Sequence, residues 1–168
     1  MKVILYMTIT INGYIAKEND DAPWSDELWV SYYNIAKKFK AVVLGRRTFE
    51  MMKEVNEFEK IGNPFIVVLT KKKQQNTNNI FFVKSPTEAL ELLDKKGFKE
   101  VLIGGGGKLN ASFMKENLVD EMLIDIEPLI FGKGIKLFAE GDFEKKLELL
   151  ETKRISNNLV HLHYKFIK

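Results

Sequence analysis

Val101-Leu102-Ile103-Gly104-Gly105-Gly106-Gly107-Lys108-Leu109 decides the fold. Three aliphatic residues of strand character run into four glycines, and an amphipathic pattern from Leu109 to about Asn117 follows. That order puts a backbone able to adopt positive φ at the positive end of a helix dipole, a setting suited to a pyrophosphate. A flexible loop is the alternative, but glycine linkers are rarely trapped between a buried strand and an amphipathic helix. Val42-Val43-Leu44-Gly45-Arg46-Arg47-Thr48-Phe49-Glu50 repeats the plan. Its two arginines stand at the start of a helix, where the dipole disfavours a cation by a few tenths to about 1 kcal/mol each unless an anion offsets it. The chain has three arginines against 23 lysines. Two at this point fit a planar, multi-donor contact with phosphate as well as they fit a solvated basic loop.

Working outward, Val3 to Thr8, Ala41 to Leu44 and Phe65 to Leu69 have the length and composition of strands covered on both faces. Ser25 opens a helical pattern to about Phe39, with Asp26 and Glu27 in the first turn. Ser85-Pro86-Thr87-Glu88 is a capping box that starts a helix stopping at Gly97. Beyond it, Glu121 to Glu127, Lys146 to Lys153 and Leu159 to Ile167 read as strands. The expectation is one α/β domain, residues 1–168, built on a mixed sheet. His161 and His163 share one face of the last strand. That spacing allows metal ligation, but with no third ligand evident the reading is a polar, solvated face and no metal site.

The strand end Val67-Val68-Leu69-Thr70-Lys71-Lys72-Lys73 offers a hydroxyl and a lysine run, with a charged hairpin loop the simpler reading of Lys72 and Lys73. Three strand ends carrying phosphate-compatible groups suggest a nucleotide across the carboxyl edge of a sheet. It is not of the G-x-G-x-x-G type, because the first strand leads to Thr10-Ile11-Asn12-Gly13.

Composition closes off other classes. Length, 168 residues, is that of one domain, and 45% hydrophobic with 11% aromatic residues supplies a core. A formal charge of +3 is not a polyanion-binding balance, so no nucleic acid is expected as partner. The chain has no cysteine and two histidines, which excludes disulfides and thiolate chemistry. No apolar run approaches the roughly 20 residues of a membrane span, and Met1 to Tyr6 reads straight into a strand, so a cytoplasmic protein without membrane association is expected.

Gly45-Arg46-Arg47-Thr48-Phe49, the stretch Ile103 to Gly107, the opening Met7 to Ala16 and the pair Pro23-Trp24 together resemble the dihydrofolate reductase superfamily over nearly the whole chain. Pro128 to Phe138, and Gly105-Gly106 followed by Leu109-Asn110, are closer to the reductase domain of bifunctional riboflavin-biosynthesis enzymes. The resemblance implies a three-layer αβα fold with a mostly parallel central sheet, and NADPH across the sheet edge. It implies Thr8 and Ile15 beside the nicotinamide, and Gly45 to Thr48 with Gly104, Gly105, Gly106 and Gly107 on the pyrophosphate side. Arg46, Arg47, Leu69, Thr70 and Lys71 would lie near the ribose 2′-phosphate, and a cis peptide is expected at Gly104-Gly105. Such proteins occur as monomers and as homodimers.

Departures from the family pattern bear on the substrate. Asn12 stands where the riboflavin-type S-L-D-G segment has aspartate. Trp29 stands at the acid position of true dihydrofolate reductases, and no arginine between Arg47 and Arg154 can clamp a folate tail. Asp26, one turn from Trp29 on roughly the same face, is the candidate displaced acid. Asn34 to Phe39 lacks the H-R-L-R-A pattern of the riboflavin branch. Trp24, Trp29 and Tyr33, with Tyr32, are candidates for an aromatic wall against a flat heterocycle, or for core. The expected activity is NADPH-dependent hydride transfer to a small pteridine- or pyrimidine-like substrate; a dinucleotide-binding protein without catalysis is the alternative.

Overall fold

The computed structural model describes all 168 residues. In chain order the elements are β1 (Lys2–Thr10), β2 (Tyr14–Ala16), α1 (Asp26–Ala36), β3 (Ala41–Gly45), α2 (Arg46–Glu54), α3 (Glu57–Lys60), β4 (Phe65–Leu69), β5 (Ile80–Val83), α4 (Pro86–Lys95), β6 (Glu100–Ile103), α5 (Gly107–Lys115), β7 (Glu121–Glu127), β8 (Ile135–Lys136), β9 (Lys146–Arg154) and β10 (Val160–Ile167). Eight strands form one sheet in the order β5-β4-β3-β6-β1-β7-β10-β9, and β2 pairs with β8 in a small second sheet. All pairings from β5 to β7 are parallel, while β7-β10 and β10-β9 are antiparallel.

The continuous apolar runs follow from this arrangement, since helices cover both faces of the parallel strands. Val3 and Leu5 of β1 point to one side and pack with Ala89 and Leu93 of α4 and with Leu109 and Phe113 of α5. Ile4 and Tyr6 point to the other and pack with Ala36 of α1, Phe49 of α2 and Ile61. Each fully buried aliphatic side chain contributes about 1.5–3 kcal/mol. This is the three-layer αβα architecture expected from the sequence.

Local signals set the helix ends. The Ser85 hydroxyl accepts from Glu88 N–H, and Glu88 reaches back to accept from Lys84 N–H, so α4 starts where the capping box predicts. It ends as Gly97 turns left-handed at φ +83°. Helix α1 stops at Ala36, short of the expected Phe39, because turn bonds from Lys38 N–H to Ile35 O and from Phe39 N–H to Ala36 O swing Phe39 into the core. The segment after β4 is not a hairpin: β4 and β5 are parallel, and residues 70–79 cross between them.

The expected solvated face of β10 is also corrected. His161 is buried and lies opposite Asp125 of β7, and His163 is half-buried with Nε2 2.8 Å from Glu121 Oε2. The Lys2 ammonium holds the same carboxylate. Burial alone pushes the Glu121 carboxyl up, but the Lys2 and His163 contacts outweigh it and hold it below its ordinary value of 4.5. A lowered folded pKa stabilises the fold above the unfolded pKa and loses that contribution as pH falls through the folded value. Glu121→Gln is therefore expected to flatten the fall in unfolding free energy below about pH 4.5, measured by urea titration at stepped pH.

Candidate active site

Helices α2 and α5 begin side by side at the carboxyl edge of the sheet. The Gly45 N–H donates to the Gly105 carbonyl at 2.8 Å, and the Gly104 N–H to Val43 O at 3.0 Å, so the ends of β3 and β6 are fastened together. Both helices have glycine at the N-cap, no side-chain cap and no acid in the first turn. By contrast α4 has its Ser85 cap and α1 has Asp26 and Glu27. Two adjacent positive helix ends without internal compensation form a cradle for an anion.

The glycines keep the cradle open. Gly105 sits at φ +87°, and a Cβ there would press on the Met7 thioether. A Cβ on Gly106 would lie 3.4 Å from Thr48 Oγ1 and 3.9 Å from Ile15 Cδ1, so Thr48 and Ile15 line the same opening. The cis peptide lies at Gly105-Gly106, one residue beyond the expected Gly104-Gly105. A Cβ on Gly107 would collide with the Lys136 carbonyl, which fixes how closely the 136–139 segment packs on α5.

Arg46 and Arg47 are the first two residues of α2. Arg46 makes a two-oxygen contact with Glu50, 2.7 and 2.8 Å, and Arg47 pairs with Asp20. Leu69 lies opposite Gly45 in the sheet, which brings Thr70 and the exposed Lys71 beside the same edge. Thr8 lies in β1, next to β6 and opposite Asp125 of β7.

The aromatic candidates divide into two groups. Trp29 packs on Tyr32 and Tyr33, with ring centroids 5.9 Å apart in both cases. Tyr33 faces Glu57 and Lys60 of α3; burial first, then the Glu57 carboxylate, pushes its phenol up. Trp24 instead stacks on Phe131 at 6.4 Å and an interplanar angle of 11°. Asp26 is exposed and makes no hydrogen bond.

Three polar groups under α1 escaped the sequence reading. The Tyr6 hydroxyl donates to Asp125 Oδ2 at 2.6 Å, and His161 Nδ1 lies 2.5 Å from Asp125 Oδ1. Burial, reinforced by the Asp125 charge, drives the Tyr6 phenol far up, so it remains a donor. At the end of β7, Glu127 Oε2 accepts from Ser25 N–H at 3.2 Å and Ser25 Oγ–H at 2.9 Å. The signal was present: Asp125 and Glu127 are two apart in an apolar strand, hence on one face, and a carboxylate there needs partners.

Asn12 has a mechanical role. Its Nδ2 donates to Phe131 O at 2.7 Å, and its Oδ1 accepts from Phe131 N–H at 3.2 Å, so the β1–β2 turn holds the ring on which Trp24 stacks. Aspartate cannot make the first of these bonds. Asn12→Asp is expected to lower unfolding stability by about 1 kcal/mol and to change the near-ultraviolet circular dichroism of Trp24, measured by thermal melts and spectra above pH 6.

Comparison with known proteins agrees with this architecture. YwjB of Bacillus subtilis (strain 168) is 32% identical over 170 residues, covering 97% of each chain. A Shewanella sp. PV-4 protein assigned to riboflavin biosynthesis superposes with a TM-score of 0.83 over 100% of both chains, at 22% identity. The 2,5-diamino-6-ribosylamino-4(3H)-pyrimidinone 5′-phosphate reductase of Archaeoglobus fulgidus is 37% identical over 68 residues, 39% of this chain and 31% of that protein. The profile of the RibD C-terminal domain matches residues 1–161. With the glycine-capped pair of helix starts at the carboxyl edge of a mixed sheet, that match over nearly the full chain establishes that the protein belongs to the RibD C-terminal domain family.

Proposed function

We propose that the chain is an NADPH-dependent reductase of a small pyrimidine- or pteridine-like heterocycle. The observation that carries this reading is the pair of uncompensated helix starts at Gly45 and Gly106, joined by the Gly45–Gly105 hydrogen bond. A pyrophosphate is the anion that spans two such ends. Membership of the RibD C-terminal domain family and the local similarity to a pyrimidinone reductase support the same chemistry.

NADPH, when bound, supplies the hydride. The protein's part is to bind and orient. Thr48 and the N–H groups at the heads of α2 and α5 would take the pyrophosphate. Arg46 and Arg47 would turn from Glu50 and Asp20 to the 2′-phosphate, beside Thr70 and Lys71. Surface ion pairs of this kind are worth about 0–1 kcal/mol, so exchanging them for a phosphate costs little. Thr8 and Ile15 would flank the nicotinamide, and Trp24, Trp29 and Tyr33 would bound the substrate side. Water supplies the proton that accompanies the hydride, because Trp29 fills the acid position and Asp26 stands in solvent without a partner.

NADPH is expected to bind at least tenfold tighter than NADH, about 1.4 kcal/mol, in fluorescence titrations, and Arg46→Ala with Arg47→Ala to remove most of that preference. Equal affinities in the unmodified protein would overturn the cofactor assignment. With a turned-over substrate, Asp26→Asn should leave kcat within about tenfold and its pH profile unchanged, since a general acid typically contributes about 10²–10⁴-fold. A loss above a hundredfold, with folding and NADPH affinity intact, would make Asp26 the acid.

A further inference from the structure

The buried polar side chains are not equivalent. Asp125 is fully buried and both its oxygens are engaged, by Tyr6 and by His161. Glu57 Oε1 and Asn110 Oδ1 lack partners but are sealed inside the protein. Glu127 differs from all of these. It is 7% exposed, Ser25 satisfies Oε2 twice, and Oε1 makes no hydrogen bond yet is not sealed in.

Its place in the fold follows from the register. Glu127 lies opposite Thr10, and Asp125 opposite Thr8, so alternation puts Glu127 on the face shared by Thr8, two residues or about 6.6 Å further toward the carboxyl edge. The bond to Ser25 sets it at the head of α1, beside Trp24 and its stack on Phe131. A largely buried carboxylate with one oxygen satisfied and the other open is completed by an outside donor.

We propose that Glu127 is the substrate-orienting carboxylate of this site, accepting from N–H groups on one edge of a flat heterocycle such as an amino-substituted pyrimidine. This deepens the reductase reading and rests on it. The carboxylate comes from a strand, across 102 residues of sequence from the helix it meets. Ser25 holds the side chain in place, and the positive end of α1 favours its charge. A ring whose edge carries only acceptors meets Glu127 unpaired, so the site selects donors.

The test titrates 2,4-diaminopyrimidine and unsubstituted pyrimidine into the protein by calorimetry, with and without saturating NADPH. In the unmodified protein the diamino ring should bind at least tenfold tighter than pyrimidine. Glu127→Gln, whose amide oxygen can still accept from Ser25, should abolish that preference while NADPH affinity and the melting temperature hold. Ser25→Ala, which keeps the carboxylate, should lose less than threefold in affinity for the diamino ring. Equal binding of the two rings, or a preference that survives Glu127→Gln, would overturn the proposal, leaving Glu127 as a tether for α1. Failure of NADPH to bind, with the ring preference present and lost in Glu127→Gln, would sink the reductase reading and leave the carboxylate site standing.

Discussion

The hydrogen bond from Gly45 N–H to the Gly105 carbonyl is the constraint on which the candidate site depends. It requires β3 and β6 to be adjacent and parallel, and the order β4-β3-β6-β1 supplies that adjacency. It also requires a close backbone approach at the strand ends, and a Cβ on Gly104 would already press on Leu44. Once the bond forms, the starts of α2 and α5 are held side by side with their positive ends together. That accumulation of like partial charge is unfavourable in an isolated fold, and neither helix relieves it with an acid or a side-chain cap. Other helix starts in the chain are relieved, by Asp26 and Glu27 or by Ser85 and Glu88. The contrast within one molecule is what gives the arrangement meaning: α1 and α4 also start at the sheet's carboxyl edge, where ligands of open α/β sheets bind, but the starts of α2 and α5 are the ones left unrelieved there.

A second constraint lies across the sheet. Thr8, Asp125, His161 and Lys153 follow one another in register on a single face; Asp125 and His161 are buried in the middle of the row, and Lys153 at its end is exposed. Taking the Asp125 charge out of water costs several kcal/mol, and hydrogen bonds from Tyr6 and His161 offset it. Removing either partner strands the charge, so losing Tyr6 or His161 is costly to the seam of β1, β7 and β10. Because Tyr6 also packs against Tyr32 of α1, at 5.8 Å between ring centroids, the network fixes the floor beneath that helix.

What could be read in the sequence was what is encoded locally. Strand β6 with its glycines, β3 with its arginines and the α4 capping box each carry their signal within about ten residues, and each stands where it was expected. Strands β2, β5 and β8 were missed because two to four residues hold too little periodicity, and because Ile80–Val83 follows a long polar crossover that reads as loop. His161 was misjudged for a different reason. Alternation along β10 correctly put it on a polar face, but whether that face meets water depends on β7, whose Asp125 lies 36 residues earlier. The link between Glu127 and Ser25 spans 102 residues and is invisible until the strands are ordered.

Helix α1 offers no acid to the site. Near a helix start, Asp26 and Glu27 are accounted for by the dipole, and both point to solvent. At the next turn Trp29 gives its surface to Tyr32 and Tyr33. A carboxylate that serves a cleft must be drawn out of water and still keep a lone pair unspent. A helix surface offers few donors to hold it there, because its own N–H groups are used after the first turn. The end of β7 meets both conditions. Backbone pairing with Thr10 fixes Glu127 at its root, and the N-cap residue of α1 lends a free N–H and a hydroxyl to one oxygen only. The strand gives the carboxylate its position and the helix start gives it charge compensation, so the acid missing from α1 reappears facing that helix's first turn.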